Sequence, residues 1–204
     1  MVQRLGLFGG SFDPVHYGHL LLAECCREQA RLDQVIFVPA AVPPHKQDRP
    51  LTPSVYRVEM LELAIAGHEQ FWVSRYEADR AEVTYTVDTL TYFRSEYPQA
   101  ELFLLLGADM FNDLPHWRRA DEVCRLALPL VAQRAGAPEV DYGLLAHVVE
   151  PPRLEAIRRH QVEMPAIGIS STDLRRRLSA GRSIRYQTPR AVEEYIRSHG
   201  LYRQ

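Results

Sequence analysis

Apolar residues in this chain gather in short runs, and the runs alternate with stretches of helical period. Residues 5–8 are apolar and stop at Gly9-Gly10, as a buried strand does at a tight turn. Residues 20–31 then read as an amphipathic helix, and Q-V-I-F-V at 34–38 as a second buried strand ending at Pro39. A proline-rich loop leads to Ser54, the expected N-cap of a helix at 55–66 with Val58, Leu61, Ala64 and Ile65 on one face. Residues 71–73 form a third strand, and 87–97 a helix with Asp88 in its first turn. E-L-F-L-L-L at 101–106 is the most apolar run, a central strand that empties into Gly107-Ala108-Asp109. A fifth strand is expected at 126–131, closing at Gln133-Arg134. Beyond it the pattern predicts a strand at 147–150, a helix at 154–160 and a last strand at 166–169. A helix at 174–180, capped by residues 170–173, ends at Gly181, and a final helix at 190–199 ends at Gly200.

Strand–helix alternation of this kind predicts an α/β fold: a doubly wound parallel sheet, followed by an α-rich C-terminal part. One domain is expected over residues 1–204, with a core at 1–131 and the remainder at 132–204. In open parallel sheets ligands bind beyond the carboxyl ends of the strands. Gly9 and Gly107 are both strand-end positions, so both are expected to line one crevice.

Composition narrows the function. The 204 residues are 46% hydrophobic and 25% charged, with a net charge of −2. That balance argues against bulk electrostatic binding to nucleic acid or to an anionic membrane. No apolar run approaches the ~20 residues that span a bilayer, and the N-terminus enters a strand without the features of a signal peptide. Three cysteines, Cys25, Cys26 and Cys124, show no C-x-x-C spacing and point to a reducing cytoplasm. Arg175, Arg176, Arg177, Arg182, Arg185 and Arg190 form a basic run. Helical spacing spreads it around the helix, and no aromatic platform interleaves it, so it reads as a solvated face with one functional arginine.

The candidate chemistry starts at residues 5–19, L-G-L-F-G-G-S-F-D-P-V-H-Y-G-H. Strand, glycine turn and helix start make a place where backbone N–H groups can face a phosphate. His16 and His19 add two imidazole donors three residues apart. No G-K-[ST] follows, so this is not a P-loop, and the G-x-G-x-x-G fingerprint is absent. Zinc ligation is disfavoured too, because no carboxylate or thiolate shows ligand spacing with His16, His19, His45 or His116.

The segment G-G-S-F-D-P-V-H-Y-G-H resembles the signature of the H-x-G-H nucleotidyltransferases, which have a Rossmann-like fold and join a nucleoside monophosphate to a phosphate acceptor. Four more segments extend the resemblance over nearly the whole chain: P-P-H-K at 43–46, T-Y-T-V-D-T-L at 84–90, L-G-A-D-M-F-N-D-L-P-H-W at 106–117 and I-S-S-T-D-L-R at 169–175. Together with G-L-Y-R at 200–203 they are similar to the bacterial nicotinate-mononucleotide adenylyltransferases.

That resemblance implies adenylyl transfer from ATP to nicotinate mononucleotide in NAD biosynthesis, with Mg²⁺ arriving on ATP and held mainly by its phosphates. It implies catalytic roles for His16, His19, Lys46 and Arg175. ATP would meet Gly9, Gly10, Ser11, Phe12, His16, His19, Gly107, Asp109, Arg134, Ile169, Ser170, Ser171, Thr172 and Arg175. The acceptor would meet His45, Lys46, Tyr85, Thr86, Trp117 and Arg118, with Trp117 stacked on the pyridine and backbone N–H groups of Thr86 and Arg118 at its carboxylate. Val83-Thr84 departs from the family's usual entry to the Tyr85-Thr86 pair, and Leu174 replaces a more frequent isoleucine. The alternatives are another acceptor, such as nicotinamide mononucleotide or phosphopantetheine, or a nucleotide-binding sensor without turnover. Phosphopantetheine has no flat ring for Trp117 to stack on.

Overall fold

The computed structural model describes residues 2–41, 51–80, 82–136 and 139–203. The described residues contain six strands and eight α-helices. In chain order they are β1 (Arg4–Gly10), α1 (Tyr17–Gln29), β2 (Gln34–Pro39), α2 (Ser54–Ile65), β3 (Phe71–Val73), α3 (Thr86–Glu96), β4 (Glu101–Gly107) and α4 (Ala108–Asp113). Then follow α5 (Ala120–Leu126), β5 (Leu128–Arg134), α6 (Pro151–Arg159), β6 (Val162–Met164), α7 (Ser171–Ser179) and α8 (Arg190–Ser198). The sheet order is β3-β2-β1-β4-β5-β6, and β1/β4, β4/β5 and β5/β6 pair in parallel. This is the doubly wound order, whose direction reverses at the β1/β4 boundary. The expected α/β class and α-rich C-terminal part are therefore present.

Burial explains why the strands could be read. β4 is buried at every position from Leu102 to Leu106, as a strand covered on both faces must be. The edge strands carry weaker signals. β6 alternates buried Val162, exposed Glu163 and buried Met164, and β3 exposes Trp72 beside buried Phe71. At three residues each, these edges offer few open backbone groups to another chain.

The chain divides into two compact units. The first comprises Met1–Gly9, Leu22–Ile36 and Tyr85–Ala166. Its core joins Leu5 and Leu7 of β1 with Leu104 and Leu105 of β4 and Leu130 and Val131 of β5. Within it α3 packs on α5. Arg94 of α3 donates to the carbonyls of Ala100 (2.6 Å) and Leu126 (3.0 Å), satisfying backbone that strand pairing leaves open. The second unit comprises Gly10–Leu21, Phe37–Thr84 and Ile167–Gln204, and in it α8 packs on α2.

Several element boundaries differ from the expectations. Pro53, not Ser54, is the N-cap of α2, and the Ser54 hydroxyl donates instead to Ala78 O at 2.9 Å. Helix α1 starts at Tyr17, so Gly18 and His19 lie in its first turn. The short helices α4 and α5 carry no long apolar stripe, and β5 begins at Leu128 because α5 occupies residues up to Leu126. Residues 147–149 form a turn rather than a strand. The last strand is Val162–Met164, whereas 166–169 is irregular. Three residues on a sheet edge are too few for a period to show.

Candidate active site

The segment after β1 is a buried loop, with Phe12, Asp13, Pro14, Val15 and His16 all shielded from solvent. Phe12 sits at φ 47, and the Asp13–Pro14 peptide is cis. A buried loop without ladder partners must satisfy its carbonyls otherwise. Here side chains from the same unit do so. Arg57 donates to Ser11 O (2.8 Å), Arg175 to Asp13 O (2.6 Å), Ser171 to Pro14 O (2.9 Å) and Thr188 to Val15 O (2.8 Å). The Tyr202 hydroxyl donates to the Asp13 carboxylate at 2.6 Å.

This loop delivers the two histidines. Their rings stack with centroids 3.7 Å apart, and the edge of Phe12 abuts His19 with centroids 5.1 Å apart. The His16 backbone N–H donates to Nδ1 of His19 at 3.3 Å. Nδ1 must then be the acceptor, so Nε2 of His19 carries a proton and is a donor. Gly18 makes the packing possible: a Cβ there would lie 3.0 Å from Cε1 and Nδ1 of His16 and 3.5 Å from the carbonyl oxygen of Ile169.

The start of α1 offers fewer backbone donors than the sequence suggests. Tyr17 N–H goes to Gln187 O at 3.1 Å, and the N–H groups of His19 and Leu20 go to His16 O at 2.9 and 3.3 Å. The two stacked imidazoles stand at this helix start, His16 just before it and His19 in its first turn.

The segment at 169–175 lies against the same loop. Ser170 caps α7 by accepting from Asp173 N–H at 3.1 Å. Ser171 holds Pro14, and Thr172 accepts from Arg175 at 3.0 Å. Each hydroxyl thus has a separate task, which explains why three stand where capping alone needs one. Phe12 is 1% exposed and packs its ring against His19 and Phe37.

In the other unit, β1 and β4 run side by side in parallel, and Gly9 and Gly107 stand at their carboxyl ends. Asp109 is exposed in the first turn of α4; Gly107, not Asp109, is the N-cap. Arg134 is exposed at the end of β5. Thr86 is the first residue of α3, after Tyr85 as N-cap, among the N–H groups that no intrahelical carbonyl can take. The Arg118 guanidinium lies over the Tyr85 ring, 4.5 Å from its centroid, joining two of the expected acceptor segments. Trp117 is half-buried, and its indole N–H donates to Asp113 at 3.1 Å, which fixes the ring's orientation. His45 and Lys46 lie outside the described residues. Among the described residues, no three His, Cys, Asp or Glu side chains cluster as metal ligands. None of the described helices is long and apolar enough to cross a membrane.

Arg57 and Thr188 were not singled out from the sequence, and Tyr202 entered only as part of G-L-Y-R at 200–203, with no role given. Their signal is tertiary: a buried arginine on a helix and two hydroxyls far along the chain are not distinctive until the loop they hold is seen.

The model of the cytidylyltransferase-like family matches residues 7–177, which include the whole histidine loop and α7 up to Arg177. This chain belongs to that family. Curated relatives agree on a narrower name. A Thermomicrobium roseum protein called "Probable nicotinate-nucleotide adenylyltransferase" is 47% identical over 99% of this chain and 92% of its own length. A Thermus thermophilus protein of the same name is 46% identical over 98% of this chain and 100% of its own. The resemblance to bacterial nicotinate-mononucleotide adenylyltransferases read from the motifs thus extends over the full chain. Among solved structures, Plasmodium falciparum nicotinic acid mononucleotide adenylyltransferase complexed with NaAD has the same fold. Its TM-score is 0.78 at 20% identity, covering 98% of this chain and 97% of that one.

Proposed function

We propose that this protein transfers the adenylyl group of ATP to nicotinate mononucleotide, giving deamido-NAD and pyrophosphate in NAD biosynthesis. The acceptor's 5′-phosphate oxygen forms a bond to the α-phosphorus of ATP. The bond from that phosphorus to the bridging oxygen breaks, and pyrophosphate departs with the electron pair. The acceptor phosphate is an anion at neutral pH, so no side-chain nucleophile is needed. Rate then comes from placing the two phosphates in line and from neutralising the charge that builds on the leaving group. Mg²⁺ enters with ATP as part of the substrate, held by phosphates and water, and spreads the negative charge of the polyphosphate.

One observation carries this reading: the fixed orientation of His19. The His16 N–H that occupies Nδ1 leaves Nε2–H as a directed donor, placed at the start of a helix after a strand-end glycine turn. His19 holds the α-phosphate, and His16, packed against it, holds the same phosphate chain. Arg175 and Arg134 add positive charge for the polyphosphate, and Lys46 does so from its own loop. Asp109 accepts from ribose hydroxyls. Trp117 stacks on the pyridine, and the backbone N–H groups of Thr86 and Arg118 read its carboxylate. The names of the relatives, nearly all of whose length this chain covers, support the acceptor. The whole chain acts as one nucleotidyltransferase domain, and its three free thiols suit a reducing cytoplasm.

The test is a pyrophosphate-release assay with ATP and nicotinate mononucleotide, on the native protein and on His19→Ala. The native protein should turn over, and the variant should lose about 10²–10³ in kcat, the usual cost of one transition-state donor. A native protein without turnover, or a variant with native kcat, defeats the reading.

A further inference from the structure

The loop that delivers the two histidines is held from outside, and among the residues that hold it Arg57, Thr188 and Tyr202 are given no part in the proposed chemistry. Three consecutive carbonyls, of Asp13, Pro14 and Val15, accept from Arg175, Ser171 and Thr188, all far along the chain. Arg57 of α2 holds Ser11 O and, at 2.7 Å, Thr52 O through Nε, while the Tyr202 hydroxyl holds the carboxylate of Asp13. Two of these clamps are themselves deeply buried, Arg57 at 1% and Thr188 at 2% exposure, and Asp13 is fully buried.

Burying a guanidinium and a carboxylate is expensive unless hydrogen bonds and mutual attraction compensate. A hydrophobic packing of the same volume would hold the fold as well. Arg57 and Asp13 attract each other: the Asp13 charge opposes the fall in the Arg57 pKa that burial causes. Burial, and next the Asp13 charge, push the Tyr202 hydroxyl far above its ordinary value, so it remains a donor throughout the neutral range. What this set obtains is direction. With its carbonyls tied outward, the Ser11–Val15 backbone has one shape, and that shape carries His16 N–H to His19 Nδ1.

We propose that Arg57, Thr188 and Tyr202 are positioning residues for adenylyl transfer, which set kcat by holding the 11–15 loop so that His19 presents Nε2–H to the phosphate. The proposal rests on the function inferred above and extends it to three residues that contact neither substrate. It also gives the C-terminal segment a role: Tyr202, two residues from the last in the chain, fixes a carboxylate one residue beyond Phe12.

The test uses Thr188→Val and Tyr202→Phe, which each delete a hydrogen bond while keeping shape, and Arg57→Lys, which keeps the charge but loses the planar fork that holds Thr52 O and Ser11 O together and should lower kcat in the same way. Thr188→Val and Tyr202→Phe guard against the chance that a buried Arg57 variant does not fold. Kinetics are read with ATP and nicotinate mononucleotide, and the His19 ring nitrogens are read by ¹⁵N NMR of the full-length protein. In the native protein His19 should show a single Nε2–H tautomer. In Thr188→Val and Tyr202→Phe, kcat should fall about ten-fold, the worth of roughly one hydrogen bond to a charged or buried group, with both KM values within about two-fold. The His19 signals should move toward a mixture of tautomers. Folded variants with native kcat, or with lowered kcat but an unchanged His19 spectrum, overturn the proposal, because the clamps would then be merely structural. A native protein that fails to turn over these substrates would defeat the function instead; the NMR comparison would still decide the positioning role.

Discussion

Gly18→Ala separates the needs of the fold from those of the histidines. Gly18 is the second residue of α1 and its φ is not left-handed, so alanine fits the helical backbone. Helix propensity favours the change by up to about 1 kcal/mol, less in a first turn than in the interior. Against this, the added Cβ would sit 3.0 Å from two atoms of the His16 ring, which must retreat by a few tenths of an ångström. The ring is 5% exposed and stacked on His19, so it has little room, and overpacking of this sort costs about 1–3 kcal/mol. The net loss is about 1 kcal/mol, which for a chain of this size lowers Tm by about 2–4 °C. Activity should suffer more. Misplacing a reacting group by about 1 Å costs on the order of 10² in rate, so a shift of a few tenths should cost about ten-fold in kcat. Thermal unfolding and pyrophosphate release, measured on the same preparation, give both numbers. A kcat within about two-fold of native would show that the His16 ring position does not govern the rate. A collapse of Tm by more than about 10 °C would show that Gly18 serves the fold first.

Two further outcomes follow from the same geometry. Trp117→Ala should raise KM for the acceptor by the equivalent of about 1–3 kcal/mol of stacking and leave KM for ATP nearly unchanged; a rise confined to ATP would place Trp117 on the nucleotide side. Asp33 accepts from the backbone N–H groups of Gln3 (2.7 Å) and Arg4 (2.9 Å), which hold its carboxyl below the usual carboxylate range. A depressed folded pKa contributes stability above the unfolded value near ~3.9 and loses it as pH falls through the folded pKa. Asp33→Asn should therefore be less stable than native at pH ~7, with the gap closing below pH ~4, in urea unfolding at the two pH values; a gap of equal size at both would refute the assignment.

How far the sequence could be read depended on the length of each signal. β4 was plain because five consecutive apolar positions, Leu102 to Leu106, end at a glycine, and the doubly wound class followed from its alternation with helices. β6 was misplaced because Val162-Glu163-Met164 shows only a single in–out–in alternation on an edge strand. Short α5 was missed because its buried positions, Ala120, Val123 and Cys124, include only one strongly apolar residue before β5 begins. The histidines, the glycines and the 169–175 segment were legible because each is a local cluster: a glycine pair ending an apolar run, two histidines three residues apart, and three hydroxyls before a helix. The holding roles of Arg57, Thr188 and Tyr202 were not, since a carbonyl held from 173 residues away, as Thr188 holds Val15 O, leaves no local trace. The hydroxyls of 170–172 were legible as a set, but their separate partners, Asp173, Pro14 and Arg175, were visible only in three dimensions.

The central claim is that a carboxylate-bearing pyridine nucleotide is the acceptor, read by backbone N–H groups. A carboxylate accepts at both oxygens, whereas an amide sets an NH₂ donor against a protein donor and leaves a desolvated N–H unpaired, at about 1–3 kcal/mol or more. The most direct measurement is kcat/KM for nicotinate mononucleotide and for nicotinamide mononucleotide, each at saturating Mg·ATP, with the dinucleotide product identified by chromatography. The account predicts a preference for the nicotinate form of at least about ten-fold, and up to ~10⁴ if both N–H groups are fully shielded from water. Comparable values for the two acceptors, or turnover with the amide alone, would contradict it.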